Sequence, residues 1–491
     1  MSAFTRKLTA LMEARGYSVR GLAKKLGVSE NTYGKLCSGS RSLAGHEELM
    51  QRTLELLSLT LAERVELDNL MAQEILGEGV FATWMAVKEL IEHLTAQQTL
   101  PLLDLPLYEI APETSTRNAA DTAALLQGFL ANAIHDGGQL DIFSSAEQPF
   151  AFSFLRSALA APGIHIRHAQ ALQVVHGNAD PASAHNIARL TSVLSLAVSS
   201  STAAQNYQPR YYYVNSTAED RGGLLFPNVL IAGGRVLFCA SDYRTAIYSE
   251  RPDVAALCAQ KFYRSYERCH TLIHVCATTE EKLVCISALL QDAENGNHLY
   301  TLHYQPCFMY FCSREDMDVL PGPLREPMRP LIDRYFYGLL QPLQEHHALV
   351  NFFSLEGIQE FLRTGIVNEL PHTFHHSIPT ALRIALMERL LAAGNSGSVR
   401  LYLVRPEYLR IPKSIDIFSY DPGMVAVTFL DTETDDQCCF VEDYTLNTKM
   451  LDFLRWLETS PWCLSTAETC RVLAQELAQY KAALSDRAAE G

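Results

Sequence analysis

Apolar residues recur at helical spacing through residues 1–77, which predicts a bundle of short amphipathic helices. The first helix spans about residues 4–14 and ends before Gly16. Its inward-facing positions are Leu8, Leu11 and Met12. Ser18 is a suitable N-cap for a second helix, VRGLAKKLG, and Ser29 is one for a third, ENTYGKLC. We therefore expect three short helices near the N-terminus, the last two joined by a tight turn.

Three further helices are expected after these. The run 46–57 is amphipathic, and Thr60 and Glu63 have the spacing of a capping box that opens the next helix. Residues 80–97 predict an apolar helix that either mediates dimerisation or packs on the rest of the chain. Three prolines within 99–115 then predict an extended linker.

Beyond the linker, short β-rich runs alternate with helices, which predicts an α/β structure. The predicted strands lie at 140–145, 164–169, 210–215 and, as a hairpin around Gly233-Gly234, at 224–241. A helix is expected over 252–269.

The same order recurs later in the chain. The matched segments are 348–355 with 140–145, 400–405 with 210–215, 415–430 with 224–241, and 444–458 with 252–269. The offset is 190 residues from Val214 to Val404 and 191 from Phe262 to Phe453. A nearly constant offset through strand, hairpin and helix predicts two copies of one α/β unit.

Charge is distributed unevenly along the chain, in which we call residues 1–77 the head and residues 78–491 the body. The formal net charge is −15, yet residues 1–45 carry +6, which leaves −21 for the remainder. A basic segment on an acidic protein favours contact with phosphate by that segment alone, because the acidic part repels a polyanion.

The run SVRGLAKKLGVSENTYGKLCSGSR in the head resembles the Cro/C1 (XRE-like) helix-turn-helix family. The matching positions are Leu22, Ala23, Leu26, Gly27, Val28, Ser29, Tyr33, Leu36, Gly39 and Arg41. The resemblance implies a DNA-binding domain whose third helix enters the major groove. Two positions depart from the family pattern: Val19 stands where a glutamine is usual, and Cys37 where a glutamate is usual.

If this resemblance holds, the outward side chains of the third helix face base edges. Asn31 is suited to adenine, Lys35 to guanine, and Glu30 to the amino group of cytosine. The residues placed for phosphate contact are Ser29, Lys24, Lys25 and Arg41. Phosphate contacts position a protein on the duplex, whereas base contacts supply its specificity.

The fold class that we predict is multidomain, with an all-α N-terminal helix-turn-helix domain followed by a larger α/β body of two repeated lobes. The predicted boundaries are 1–77 for the helix-turn-helix domain, 78–115 for the helix and linker, 116–340 for the first lobe, and 341–491 for the second lobe with a C-terminal helix.

The order of elements in the body weakly resembles the two-lobe architecture of the phospholipase D superfamily. In that superfamily each lobe supplies a His-x-Lys motif, because a phosphohistidine intermediate needs a nucleophile and nearby cations. No His-x-Lys occurs in this chain. We therefore expect a degenerate body without catalytic residues, which fits a sensing or oligomerising role.

Metal and cofactor sites are not expected from the sequence. The twelve cysteines are scattered and contain no Cys-x-x-Cys pair, so buried reduced thiols fit best. One histidine cluster has the residue types of a metal site, but polar loop histidines fit it better, since nothing shows that its two runs meet. Its members are His372, His375, His376, His346 and His347, with Glu345 or Glu369 as a carboxylate ligand.

A small anionic ligand is the partner we expect for the body, held between the lobes. Residues that begin or line equivalent predicted strands would bind it: Arg210, Tyr212, Asn228, Arg400, Tyr402 and Arg405. The arginines supply the positive charge that an anion requires.

The leading functional hypothesis is a sequence-specific transcriptional regulator that binds double-stranded DNA as a homodimer and carries a sensing or oligomerisation body. We expect it to be cytoplasmic and without membrane contact, because the N-terminus lacks a secretory signal and no long apolar run occurs. The alternatives are a phosphodiesterase or nuclease tethered to DNA by the head, and a protein-interaction scaffold.

Overall fold

The computed structural model describes residues 1–94, 108–144, 155, 159, 163–197, 206–215, 225–276, 281, 298–319, 329–330, 333, 336–346, 349–370, 376–420, 424–429 and 437–490. The chain divides into two compact units. One comprises Met1–Ala86 with Val175–Ala184, and the other comprises Val87–Val174 with His185–Gly491.

The head is helical, as predicted. Its helices are α1 (Ala3–Ala14), α2 (Val19–Leu26), α3 (Glu30–Cys37), α4 (Glu47–Leu56) and α5 (Leu61–Leu76). Their inward residues form one apolar core that includes Leu8, Leu22 and Leu54. The capping box of α5 is present, with Thr60 and Glu63 each accepting from the other's backbone N–H.

Helix α6 (Glu78–His93) follows. Val87, Leu90 and Ile91 on α6 are each at most 1% exposed, so the chain itself covers this apolar face. That burial favours packing over dimerisation through α6, because an interface needs exposed apolar surface. Most of the predicted linker lies outside the described residues. Among the described helices, none is both long enough and apolar enough to cross a membrane.

The body contains two mixed sheets with helices between their strands. The remaining α-helices in the described part of the chain are α7 (Ala119–Asp136), α8 (Ala182–Ala197), α9 (Pro252–Tyr266), α10 (Gln341–His346), α11 (Leu355–Thr364), α12 (Thr380–Ser396), α13 (Tyr444–Leu457) and α14 (Thr466–Glu490). The body is thus α/β, as the alternation of the sequence predicted.

The first sheet has the strand order β1-β7-β6-β5-β2-β3-β4-β8. Its strands are β1 (Ser115–Thr116), β2 (Gly138–Ser144), β3 (Ile164–Gln173), β4 (Tyr207–Val214), β5 (Asn228–Ala232), β6 (Arg235–Cys239), β7 (Ala246–Ser249) and β8 (His270–Thr271). Strands β2, β3 and β4 are parallel, and the other pairs are antiparallel. Helix α9 packs on one face, with Phe262 and Tyr266 against Ala169 and Ile231.

The second sheet has the order β12-β11-β10-β13-β14-β15-β9. Its strands are β9 (Ile273–Cys276), β10 (Leu299–His303), β11 (Leu349–Phe353), β12 (Arg400–Leu403), β13 (Ile415–Tyr420), β14 (Met424–Phe429) and β15 (Gln437–Val441). Strands β10, β11 and β12 are parallel, and the rest of the sheet is antiparallel. A large apolar cluster containing Phe308, Phe361 and Leu390 covers one face.

The two sheets share one topology. The order β4-β3-β2-β5-β6-β7 in the first corresponds to β12-β11-β10-β13-β14-β15 in the second. This agrees with the predicted pairing of 400–405 with 210–215 and of the two hairpins. It corrects one match: the run 348–355 forms β11, which is equivalent to β3, whereas the equivalent of 140–145 is β10. Adjacent buried parallel strands are both nearly continuous apolar runs, and the pattern does not distinguish them.

The division between the sheets also differs from the predicted lobe boundary at residue 340. Strands β9 and β10 precede that residue and already belong to the second sheet. A single residue, Leu272, separates β8 in the first sheet from β9 in the second. The chain therefore passes from one sheet to the other within a run that shows no Gly or Pro signal.

Candidate nucleic-acid interface

The turn between α2 and α3 is built on Gly27. This residue is in the left-handed region at φ 71° and caps the C-terminus of α2. Glycine adopts this conformation without the Cβ clash that other residues incur. The next residue, Val28, donates its backbone N–H to the carbonyl of Ala23 at 3.0 Å. Ser29 then begins α3, its hydroxyl accepting from the backbone N–H of Thr32 at 3.1 Å.

The inner side of α3 is held firmly by the core of the head. Tyr33 and Leu36 are fully buried. The Tyr33 hydroxyl donates to the Thr53 hydroxyl at 3.3 Å, which ties α3 to α4. Burial raises the pKa of Tyr33 well above its ordinary value, so the phenol remains a neutral donor. The buried face of α3 therefore anchors this helix to the core of the head and leaves its other face in solvent.

All seven residues predicted to contact DNA are exposed. They are Lys24, Lys25, Ser29, Glu30, Asn31, Lys35 and Arg41. Two of their charged side chains have partners within the head: Glu30 lies 3.8 Å from Arg20, and Lys25 lies over the ring of Tyr17 at 4.8 Å. Both contacts are at the surface, where they cost little to exchange for a ligand. The Ser29 hydroxyl caps α3, so any hydrogen bond from this hydroxyl to a DNA phosphate would form in addition to the capping bond.

The two departures from the Cro/C1 pattern have packing roles. A Cβ built on Gly34 would lie 3.6 Å from a methyl carbon of Val19, so this valine lies against α3 in ordinary contact. Cys37 is 5% exposed, and burial raises the pKa of its thiol. Both side chains therefore pack between helices of the head, where an apolar or neutral side chain is favoured.

Two short helices joined by a left-handed glycine turn, the second buried on one side and polar on the other, define a helix-turn-helix domain. Domains of this class place their second helix in the major groove. A family model described as a helix-turn-helix domain matches residues 3–67. The prediction of a helix-turn-helix domain is thereby confirmed for the head, and its assignment to the Cro/C1 type stays a prediction. No curated protein sequence matches the chain.

Two solved structures are similar to larger parts of the chain. One is TrmBL2, an archaeal chromatin protein described as showing a novel mode of DNA binding, with 16% identity and a TM-score of 0.22. The similarity covers 41% of this chain and 66% of TrmBL2. The other is phosphatidylserine synthase of Haemophilus influenzae Rd KW20, with 10% identity, a TM-score of 0.24, and coverage of 82% of this chain and 98% of that one. Scores this low are too weak to transfer a function from either protein to this chain.

The predicted ligand residues of the first sheet are engaged within their own lobe. Arg210 donates to the backbone carbonyl of Tyr266 at 3.0 Å, and its guanidinium lies 4.4 Å from that ring centroid. Tyr212 packs edge-on against Phe143, and burial raises its pKa to about 12. Asn228 is fully buried and donates to the carbonyl of Ala240 at 3.2 Å.

The side chains of Arg400 and Tyr402 in the second sheet are likewise engaged within their own lobe. Arg400 forms an ion pair with Glu458, and the Tyr402 hydroxyl donates to the same carboxylate at 3.1 Å. Burial raises the pKa of Tyr402 to about 12. Arg405 donates its backbone N–H to the carbonyl of Trp462 at 2.9 Å.

The two arginines have equivalent structural roles. Tyr266 is the last residue of α9 and Glu458 is the C-cap of α13. Each arginine therefore lies at the C-terminal end of a helix, where the helix dipole favours a cation. The contacts do not bring Arg210 and Arg400 together, and ligand binding by the six residues stays a prediction.

The histidine cluster noted in the sequence is only partly described. His347, His372 and His375 lie outside the described residues. His376 has its Nε2 atom 3.2 Å from the carbonyl oxygen of Val319. Glu369 lies beside His303 and Cys307, which were not predicted from the sequence. The only sequence signal for this pair is the four-residue spacing of His303 and Cys307 after an apolar run.

Proposed function

We propose that this chain is a sequence-specific, DNA-binding transcriptional regulator of the Cro/C1 type, with a non-enzymatic body that senses a ligand or oligomerises. The observation that carries the proposal is the exposed polar face of α3, held by a fully buried inner face. A rigid helix with an outward row of Glu30, Asn31 and Lys35 suits the reading of base edges.

Charge supports assigning the contact to the head. Lys24, Lys25 and Arg41 flank α3, and each is exposed. In this proposal they bind phosphates on either side of the groove that α3 enters. Residues 46–491, which include the whole body, carry a net charge of −21, and this negative charge opposes a second DNA contact by the body.

A homodimer in the cytoplasm is part of this proposal. Regulators of this class bind two half-sites about one helical turn apart, which matches the two-fold symmetry of a dimer. Because the chain covers the apolar residues of α6, dimerisation would use another surface. The absence of any His-x-Lys in the sequence supports a body without phosphodiesterase chemistry.

The test measures affinity for a duplex that the purified full-length chain selects from a random-sequence pool. Asn31→Ala or Lys35→Ala should lower the affinity by about 1–3 kcal/mol and relax the preference at one base position. Lys24→Ala should weaken binding to all duplexes alike. It should also reduce the salt dependence of the affinity by the equivalent of about one phosphate contact. Fluorescence anisotropy over a range of salt concentrations separates these two effects.

Lys7→Ala is the matched control. Lys7 is a lysine of the head that pairs with Glu66 at 2.7 Å and lies on α1, outside the α2–α3 pair. Its replacement should leave base preference unchanged. If neither Asn31→Ala nor Lys35→Ala alters binding to the selected duplex, the assignment of α3 is wrong. If no duplex is bound even at low salt, a protein-interaction scaffold is the better hypothesis.

A further inference from the structure

A buried group of metal-ligand side chains lies at the carboxyl ends of parallel strands in the second sheet. His303 is the last residue of β10, Cys307 follows in the next loop, and Glu369 lies in the turn after α11. One ligand atom from each lies within 4.8 Å of the other two. Asp416 pairs with His303 across β10 and β13, and its Oδ1 lies 4.0 Å from His303 Nδ1.

These side chains are withdrawn from water. The exposed fraction is 1% for the His303 side chain, 8% for Glu369 and 4% for Asp416. Burying two carboxyl groups and an imidazole together carries a large desolvation cost unless ion pairs, hydrogen bonds or a bound metal ion compensate it. Burial also raises the pKa of the Cys307 thiol well above its ordinary value, with the Glu369 carboxylate adding to the effect.

His303 is the least satisfied member of the group. Neither of its ring nitrogens has a hydrogen-bond partner among the described residues. The nearest carboxylate oxygen, on Glu369, is 3.5 Å from Nδ1, which is longer than a normal N–H···O hydrogen bond. The ring packs edge-on against Phe418 with centroids 4.7 Å apart, and this contact restricts its orientation. A fully buried imidazole whose ring nitrogens make no hydrogen bond is suited to bind a metal ion through one of them.

The surrounding polar groups hold the ligand residues in place. Cys307 donates its backbone N–H to Asn351 Oδ1 at 3.2 Å, and Asn351 in turn donates to the Thr301 hydroxyl at 2.6 Å. Glu369 accepts from the backbone N–H of Met309 at 2.9 Å. Hydrogen bonds of this kind orient the ligands of metal sites before the metal arrives.

A second link joins the two loops that carry Cys307 and Glu369. The Gln305 side chain donates to the carbonyl of Ile366 at 3.1 Å and accepts from the backbone N–H of Asn368 at 3.0 Å. The two loops are therefore fastened to each other on both sides of the group. The geometry is built into the fold and does not depend on long surface side chains.

We propose that His303, Cys307 and Glu369 bind one divalent cation of the zinc type. A nitrogen, a sulfur and an oxygen form a donor set that Zn²⁺ accepts, and tetrahedral Zn²⁺ places its ligand atoms about 3.3–3.6 Å apart. The three ligand atoms lie within 4.8 Å of one another in the structure, so small side-chain movements bring them to that spacing. Three protein ligands leave one position of the tetrahedron for a further donor.

The competing explanation is a protonated His303 held between two carboxylates. Burial opposes protonation of this imidazole, but the neighbouring Asp416 and Glu369 carboxylates raise its pKa overall. An ion pair of this kind needs no metal and involves no thiolate. Metal uptake, and the participation of Cys307 in it, therefore distinguish the two.

The experiment uses the full-length chain, freed of any affinity tag, stripped with a chelator, and then loaded with Co²⁺ as a spectroscopic substitute for Zn²⁺. We expect about one bound equivalent per chain, tetrahedral d–d bands, and a sulfur-to-cobalt charge-transfer band. Zn²⁺ should displace the Co²⁺ and raise the melting temperature. A wild-type chain that takes up no Co²⁺ or Zn²⁺ overturns the proposal, and this result does not depend on any variant folding.

Variants then assign the ligands. Cys307→Ser should abolish the charge-transfer band, and His303→Gln should weaken Co²⁺ binding at least about tenfold. Cys312→Ser is the matched control, because Cys312 is a buried thiol of the same apolar cluster that donates to the carbonyl of Phe308. It should keep the wild-type spectrum. A charge-transfer band that survives in Cys307→Ser, or disappears in Cys312→Ser, contradicts the assignment.

Discussion

The buried His168 on β3 should make the stability of the body depend on pH. Its Nε2 lies 2.6 Å from the Ser144 hydroxyl, and its Nδ1 lies 2.6 Å from the Tyr207 hydroxyl. The imidazole is fully buried, and this burial lowers its pKa from 6.5 to about 3. The neutral ring fits the site, since it donates at one nitrogen and accepts at the other.

The sign follows from proton linkage. Unfolded chains protonate this histidine near pH 6.5, whereas the folded chain resists protonation until about pH 3. The contribution of His168 is therefore complete above pH 6.5 and is lost as the pH falls from 6.5 towards 3. At pH 5, about 1.5 pKa units below the unfolded value, the loss is about 2 kcal/mol.

Urea unfolding, followed by far-UV circular dichroism and tryptophan fluorescence, measures the effect at pH 7 and pH 5. Between these values the wild-type chain should lose about 2 kcal/mol more than His168→Gln, whatever the absolute stability of that variant. His165→Gln, on the exposed side of the same strand, should behave as wild type. Equal losses in wild type and His168→Gln would refute the reasoning.

Further predictions concern hydrogen bonds and glycine packing that the sequence did not reveal. Tyr213→Phe removes the hydroxyl that donates to the buried Asp443 at 2.6 Å, so the free energy of unfolding should fall by about 1–3 kcal/mol. Tyr211→Phe should lower the free energy of unfolding by less, because the Tyr211 hydroxyl donates to a backbone carbonyl at the longer distance of 3.4 Å. Gly357→Ala should lower the melting temperature, because its Cβ would lie 1.9 Å from a backbone oxygen. Gly34→Ala has room and should stabilise the head by up to about 1 kcal/mol. An unchanged melting temperature in Gly357→Ala, or a destabilised head in Gly34→Ala, would contradict the packing described around that glycine.

Local signals predicted the head accurately. Helix α3 begins and ends where the sequence predicted, because Ser29 caps its start and the apolar spacing ends at Cys37. The capping box at Thr60 and the turn at Gly27 are likewise signals contained within a few residues. Short-range patterns of this kind determine a helical domain whose contacts are mostly local.

Strand assignment in the body was only partly correct from the sequence. The repeat was visible through its hairpins and final helices, since their spacing is nearly constant. The pairing of 348–355 with β2 was wrong because buried parallel strands look alike as apolar runs. The early entry of β9 and β10 into the second sheet depended on which edge each strand joins, and no local signal reports that choice.

The sequence by itself determined the helix-turn-helix head, its charge contrast with the rest of the chain, and the α/β character of the body. Only the tertiary structure decided which side chains meet. It placed Arg210 and Arg400 at separate helix ends, and it brought Glu369 to His303 across 66 residues of chain. The physical reason is that helices are specified by neighbours in sequence, whereas sheet order and strand register join segments whose separation no local pattern records.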